Sequence, residues 1–272
     1  MAVGTAVTTS GKHITFSGSW NGSHWTIHPT VDPPSRGSWR DLNGVSCLSD
    51  TACVAVGEYG TSATYTTAGL IERWNGHRWR LQYTTHPVRG TYVALESVSC
   101  ASGSSCVAVG SQTPTEDGHP IARIWNGTRW RSGEVPYSEE AAYLQRVSCP
   151  SPTLCIAVGN SNTSRYAAAV SEQWDGQRFT EIPVALPADT GGSDFYGVSC
   201  GSATHCLALG YYGAVDADTP MLEAWDGSHW SVAQTGAPGE WNGLACRPAF
   251  CVLVGAAGKQ TLVGAYHWEP GS

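Results

Sequence analysis

Short apolar runs, each closed by a turn signal, recur along this chain with a period of about fifty residues. One copy reads L-N-G-V-S-C-L-S-D-T-A-C-V-A-V-G from Leu42 and, after a variable segment, L-I-E-R-W-N-G-H-R-W-R-L from Leu70. Four strands follow from it: a Gly-Val-Ser-Cys run, a Cys-Val-Ala-Val-Gly run, a third strand ending at Trp74, and a fourth carrying Trp79. Asn75-Gly76 predicts a two-residue type I′ hairpin, because both residues tolerate positive φ. That turn would set Trp74 opposite His77 and Glu72 opposite Trp79, with the two tryptophans as diagonal neighbours on one face. The same signal returns as Asn21-Gly22, Asn126-Gly127, Asp175-Gly176 and Asp226-Gly227.

A four-stranded sheet with a tryptophan-rich outer hairpin cannot bury itself alone, and stacking such sheets radially around an axis solves the problem. The expected fold is all-β: a propeller of four-stranded antiparallel blades forming a single domain over residues 1–272. Residues 1–28 would form a partial first blade, 42–82, 95–132, 144–181 and 196–233 complete repeats, and 242–268 a partial last blade. The second strand appears six times, from Met1-Ala-Val-Gly4 to Val252-Leu-Val-Gly255, and the third ends at Trp20, Trp74, Trp125, Trp174, Trp225 and Trp268. The first and fourth strands appear only five times, which favours six blades with an incomplete seam. In the alternative of five blades, the strand near Trp25 pairs with the one ending at Trp268.

Cysteine spacing sharpens this picture. Cys47/Cys53, Cys100/Cys106, Cys149/Cys155 and Cys200/Cys206 are six apart and Cys246/Cys251 five apart, in steps of 53, 49, 51 and 46 residues. One repeated short spacing with no cysteine left over predicts five local disulfides, one pinning each first hairpin. A zinc site would want closer pairs with further ligands, so no metal and no cofactor is expected. Disulfides of this kind predict a secreted or extracellular setting, with a leader or upstream segment removed.

Composition narrows the partners. Charged residues are 14% of the chain, against roughly 25% in globular chains, and the net charge is −7. An acidic chain is a poor partner for nucleic acid. Nothing approaches a run of 18 apolar residues, so no membrane span is expected. A monomer binding a small-molecule or glycan ligand is the expected form.

The order of a Val-rich inner strand, a small-residue second strand and a third ending in Trp-Asn/Asp-Gly resembles WD-repeat and Asp-box propellers over nearly the whole chain. The Asp-box signature and the Gly-His and Trp-Asp pairs of WD repeats are missing from their usual places. The Val-Ser-Cys and Ala-Val-Gly motifs are also similar to those of secreted actinobacterial repeat proteins. In its tryptophan-rich hairpins the chain resembles tachylectin-type and fungal propeller lectins, and that likeness implies carbohydrate binding.

In propellers of this topology, variable segments gather on the face opposite the disulfide hairpins, and function usually sits on such loops. Aromatics recur there at Trp39, Tyr92, Tyr143, Phe195 and Trp241; they suit sugar stacking or packing of each loop onto its blade. Four residues before the first cysteine of each pair stand Asn43, Glu96, Gln145, Tyr196 and Asn242. They are expected where the innermost strands begin, at the mouth of the central channel, as a ring of donors and acceptors or as backbone caps. Ligand binding is therefore expected at Asn43, Glu96, Gln145, Tyr196, Asn242, Trp39, Tyr92 and Trp241. The sequence names no catalytic residue. Glu72, Glu172 and Glu223 share one repeat position and read as packing or hydrogen-bonding devices. Asp189, Asp194, Asp216 and Asp218 could supply a carboxylate pair. Two functions remain: a secreted carbohydrate-binding, lectin-like module, or a propeller enzyme (glycoside hydrolase, lyase or cyclase) with one site over the channel. A repeat lectin should bind several ligands per chain and an enzyme one.

Overall fold

A computed structural model describes residues 1–31, 33, 39–61, 66–84, 88–113, 118–137, 141–162, 167–186, 191–214, 217–235 and 239–268. All regular structure among them is β, in six antiparallel sheets of three or four strands. The chain divides into two compact units, Met1–Gly133 and Glu134–Ser272.

Unit 1 holds three sheets. The first is β1 (Ala2–Val7), β2 (His13–Trp20) and β3 (Trp25–Pro29); the second is β4 (Trp39–Ser49), β5 (Ala52–Thr61), β6 (Thr66–Trp74) and β7 (Trp79–Thr84). The third is β8 (Tyr92–Ser102), β9 (Ser105–Thr113), β10 (His119–Trp125) and β11 (Trp130–Gly133). Unit 2 continues with β12 (Ala141–Ser151), β13 (Leu154–Asn162), β14 (Ala167–Trp174) and β15 (Phe179–Glu181) in the fourth sheet. The fifth is β16 (Gly192–Cys200), β17 (Cys206–Ala214), β18 (Ala217–Trp225) and β19 (Trp230–Thr235), and the sixth is β20 (Glu240–Arg247), β21 (Phe250–Ala257) and β22 (Gln260–His267). These are the blades of a β-propeller, with strands in chain order across each sheet. The first sheet lacks the inner strand and the sixth the outer one. Because Trp25 pairs with Trp20 across β2 and β3, the five-blade alternative, which paired it with the strand ending at Trp268, does not hold.

Five disulfides close the first hairpin of each repeat, Cys47–Cys53, Cys100–Cys106, Cys149–Cys155, Cys200–Cys206 and Cys246–Cys251. The second hairpin differs from its predicted register. Trp74 pairs directly with Trp79 and Glu72 with Leu81, so the corner residues are Gly76 and His77, not Asn75 and Gly76. Asn75 instead folds its side chain over the turn: its Oδ1 accepts the backbone N–H groups of His77 and Arg78 at 3.1 and 3.0 Å. Gly76 carries a positive φ, at 90°. The directly opposed indoles stand 5.7 Å apart, centroid to centroid. Glu172 and Glu223 likewise face Glu181 and Val232 rather than Phe179 and Trp230.

A feature the sequence did not reveal governs the inner strands. In β4, Leu42 pairs with Gly57 and Gly44 with Val56, leaving Asn43 as the extra residue of a β-bulge. Glu96, Gln145, Tyr196 and Asn242 are skipped in the same way. The bulge drives a carbonyl toward the facing strand. A Cβ on the glycine facing each bulge (Gly57, Gly110, Gly159, Gly210 or Gly255) would overlap it, as between Gly159 and the carbonyl oxygen of Tyr143. These glycines are needed for close approach of two backbones, not for an unusual φ.

Within each unit the apolar core lies between successive sheets. Val54, Val56 and Ile71 pack on Leu95, Val98 and Trp125 in unit 1, and Ile156 and Val158 on Phe195, Met221 and Trp225 in unit 2. Polar bonds run along the same seams. The serines of three Val-Ser-Cys runs accept the cysteine N–H of the next repeat: Ser46 from Cys100 within unit 1, and Ser148 from Cys200 and Ser199 from Cys246 within unit 2, at 2.9–3.0 Å. Indole N–H groups of Trp79 and Trp230 reach back to Ser17 and Ser171 of the preceding sheet, at 2.7 and 3.0 Å. Buried glutamates tie down the connections between sheets. Glu72 Oε2 accepts the Val31 N–H at 3.1 Å and Glu223 Oε2 that of Ala185 at 3.2 Å.

Candidate functional site

The inner strands begin earlier than expected, because pairing extends past the bulge. Trp39 and Tyr92 are the first residues of β4 and β8, and Trp241 is the second of β20. The ring residues consequently sit within strands, at bulges, where the local kink re-aims a side chain.

In unit 1, Tyr92, Glu96 and Trp39 stand near a buried carboxyl. Glu58, next to Gly57 on β5, is 4% exposed and accepts the Tyr92 hydroxyl at 2.9 Å. Its carboxyl is pushed up to about 7: burial is the largest cause, the Tyr92 bond pulls the other way, and the charges of Glu96 and Asp41 add to the rise. Trp39 stacks on His13 with centroids 4.5 Å apart. Asn43 donates from Nδ2 to the Leu95 carbonyl oxygen of the next sheet at 3.2 Å. These contacts join neighbouring sheets.

Unit 2 holds a second buried carboxyl with a cavity beside it. Asp194, on β16, accepts Gln145 Nε2 at 3.1 Å on Oδ1 and 3.3 Å on Oδ2, Asn160 Nδ2 at 3.0 Å and the Tyr211 hydroxyl at 3.4 Å. Burial raises its carboxyl and those three donors lower it. With both oxygens engaged, Asp194 holds Tyr211 in place. The Tyr211 ring lies 6.2 Å from that of Tyr196 with 30° between their planes. Tyr196, Tyr211, Pro220, Glu240 and Asn242 line a cavity of about 310 Å³ between the fifth and sixth sheets. Burial, and then the charges of Glu240 and Asp194, push the Tyr196 phenol up. A smaller space of about 110 Å³ lies at the hairpin end of the same two sheets, against His205, Trp225, Asp226 and Trp268.

Of the eight expected ligand residues, Tyr196 and Asn242 therefore share a cavity. Gln145 stands behind it on Asp194. Asn43, Glu96, Trp39 and Tyr92 belong to unit 1. Trp241 is 8% exposed, packed with Leu207, Leu209 and Leu253 in the core. Sequence reasoning missed Tyr211, Pro220 and Glu240. A signal for Glu240 existed: Asp41, Asp194 and Glu240 are all six residues before the first cysteine of their repeats. Asp189 and Asp216, and the side chain of Asp218, lie outside the described residues. Among the described residues no group of three or more His, Cys, Asp or Glu side chains could hold a metal ion.

No family model matches the chain, and no curated protein matches it. Solved structures do. YCF48 from Cyanidioschyzon merolae is 14% identical with a TM-score of 0.52, covering 93% of this chain and 76% of that one. Prolyl oligopeptidase B from Galerina marginata is 10% identical with a TM-score of 0.52, covering 97% of this chain and 40% of the other. An ulvan lyase, a polysaccharide lyase, is 9% identical with a TM-score of 0.48 over 97% of this chain and 77% of its own. The similar structures thus include carbohydrate-active enzymes and other proteins alike, and at these identities the likeness concerns the fold. The chain has the β-propeller fold.

Proposed function

We propose that the protein is a secreted carbohydrate-binding module whose site is the cavity at Tyr196, Tyr211, Pro220, Glu240 and Asn242. The observation that carries this reading is the pairing of two tilted phenol rings with a carboxylate and an amide around one space of about 310 Å³. A pyranose offers an apolar C–H face to an aromatic ring and hydroxyls to groups that accept and donate in plane. Asp194 supports the site by fixing Tyr211 through its hydroxyl. A single site per chain follows, because of the five inner strands only that of the fifth sheet carries a tyrosine at the bulge. Five disulfides fit an oxidising, extracellular setting, and among the described residues no helix is long and apolar enough to cross a membrane.

A glycan array followed by titration calorimetry tests the reading. One glycan should bind per chain, and Tyr196→Ala and Asn242→Ala should each weaken it about ten- to hundredfold, the loss of one stacking or hydrogen-bonding partner. Binding unchanged in both variants, or no glycan bound at all, would overturn it.

A further inference from the structure

We propose that this cavity selects ligands bearing a protonated amine, and so amino sugars over neutral ones, an inference that rests on the carbohydrate reading of the same site. Glu240 lies at the start of β20 with its side chain exposed, and no hydrogen bond or ion pair ties its carboxylate to another described residue. Among the described residues, those lining the cavity include no lysine, arginine or histidine. Behind Tyr211 stands a second acid, Asp194, whose bonds from the described residues come from neutral donors, Gln145, Asn160, the Phe195 backbone and Tyr211 itself. The raised Tyr196 phenol reports the same field, since Glu240 and Asp194 both disfavour a further negative charge there.

A neutral sugar uses such a site only through its hydroxyls. An ammonium group adds a charge-assisted bond to Glu240 and an attraction to the electron-rich faces of two phenol rings 6.2 Å apart. The chain's net charge of −7 acts in the same direction at longer range. Sulfated and uronic-acid glycans are disfavoured by the same groups.

Calorimetry at about pH 6, where the amine is protonated, compares three β-1,4-linked trisaccharides, of glucosamine, N-acetylglucosamine and glucose. The glucosamine trimer should bind at least about tenfold tighter than the other two, as a charge-assisted bond implies. Glu240→Gln should bring that ratio close to one, and raising salt from about 0.05 to about 0.5 M should shrink it in the wild type. Equal binding of all three trimers, with affinity lost in Tyr196→Ala, would overturn the amine inference and leave the carbohydrate reading standing. If no trimer binds but ethanolammonium does, in a Glu240-dependent way, the carbohydrate reading falls and the cation site stands. Absence of binding by any of the four probes defeats both.

Discussion

The carbonyl oxygen of Tyr143 occupies the space where a Cβ on Gly159 would stand. The bulge at Gln145 puts it there, and the corresponding crowding recurs at Gly57, Gly110, Gly210 and Gly255. Gly4 holds the same motif position on β1, which has no inner strand beside it, and a Cβ there would meet only Phe16 at 3.4 Å. Gly159→Ala should therefore destabilise the fold by at least about 2 kcal/mol, the scale of overpacking a tight contact. Gly4→Ala should change it by less than about 1 kcal/mol. Denaturant melts of the two variants check this, and equal losses would show that crowding by the bulge is not what selects glycine.

The seam serines offer a second test. Ser148 Oγ accepts the Cys200 N–H at 2.9 Å, joining two inner strands of unit 2. Ser148→Ala leaves that N–H without its acceptor, which should cost about 1–3 kcal/mol. Hydrogen exchange at the Cys200 amide should accelerate in the variant, and an unchanged rate would show that the bond does not protect the seam.

Stability should fall as pH rises through neutrality. Burial pushes the carboxyls of Glu172 and Glu223 up to about 8 and is the largest cause of the rise of Glu58 to about 7. In the unfolded chain such groups ionise at the usual glutamate value, so between that value and the folded one the unfolded state binds fewer protons. Their stabilising contribution is whole below the unfolded value, declines as pH rises, and is lost once pH passes the folded value. Each contributes a slope of up to about 1.4 kcal/mol per pH unit. Glu223→Gln keeps an acceptor for the Ala185 N–H but cannot ionise. It should melt like the wild type near pH 5 and above it near pH 8.5, as differential scanning calorimetry would read. Parallel pH profiles would contradict the burial argument.

Glu172 has a buried Oε2 with no hydrogen-bond partner among the described residues. Val31 and Ala185, whose N–H groups serve Glu72 and Glu223, lie six residues after Trp25 and Phe179; the residue six after Trp130 is Pro136, which has no N–H to give. Replacing Pro136 with alanine supplies that donor. Glu172 should then titrate lower, which carboxyl resonances of the two proteins would register, and an unmoved titration would sever the two positions.

Removing one disulfide should be tolerated. Each closes a loop of five or six residues, so the Cys100→Ser, Cys106→Ser double variant should lose about 2 kcal/mol and still fold. A variant that fails to fold would give the bridge a role beyond shortening the unfolded chain.

Much of the architecture was legible because it is local. Cysteines six apart can scarcely reach other partners, and Trp-Asn-Gly-x-x-Trp writes a hairpin into six consecutive residues. The hairpin register was misjudged by one place because Asn75 offers two uses, positive φ or a side-chain cap over the turn, and composition does not choose between them. The five bulges went unseen for another reason. An extra residue in a strand alters no alternation until its partner strand is known, so Asn43 and Tyr196 read as strand beginnings.

The sequence by itself determined the repeat, the strand order within each blade and the disulfides. These depend on contacts between residues close along the chain. Tertiary structure decided which side chains of different repeats meet. It buried Trp241 in a core, set Gln145 behind Asp194, and brought Tyr196 and Tyr211 of one sheet to Glu240 and Asn242 of the next. Residues some thirty to fifty positions apart meet there only after two sheets have packed, and the apolar seam that packs them is nearly the same in every repeat. What differs between repeats is the polar residue at the bulge, and its surroundings exist only once the neighbouring blade is in place.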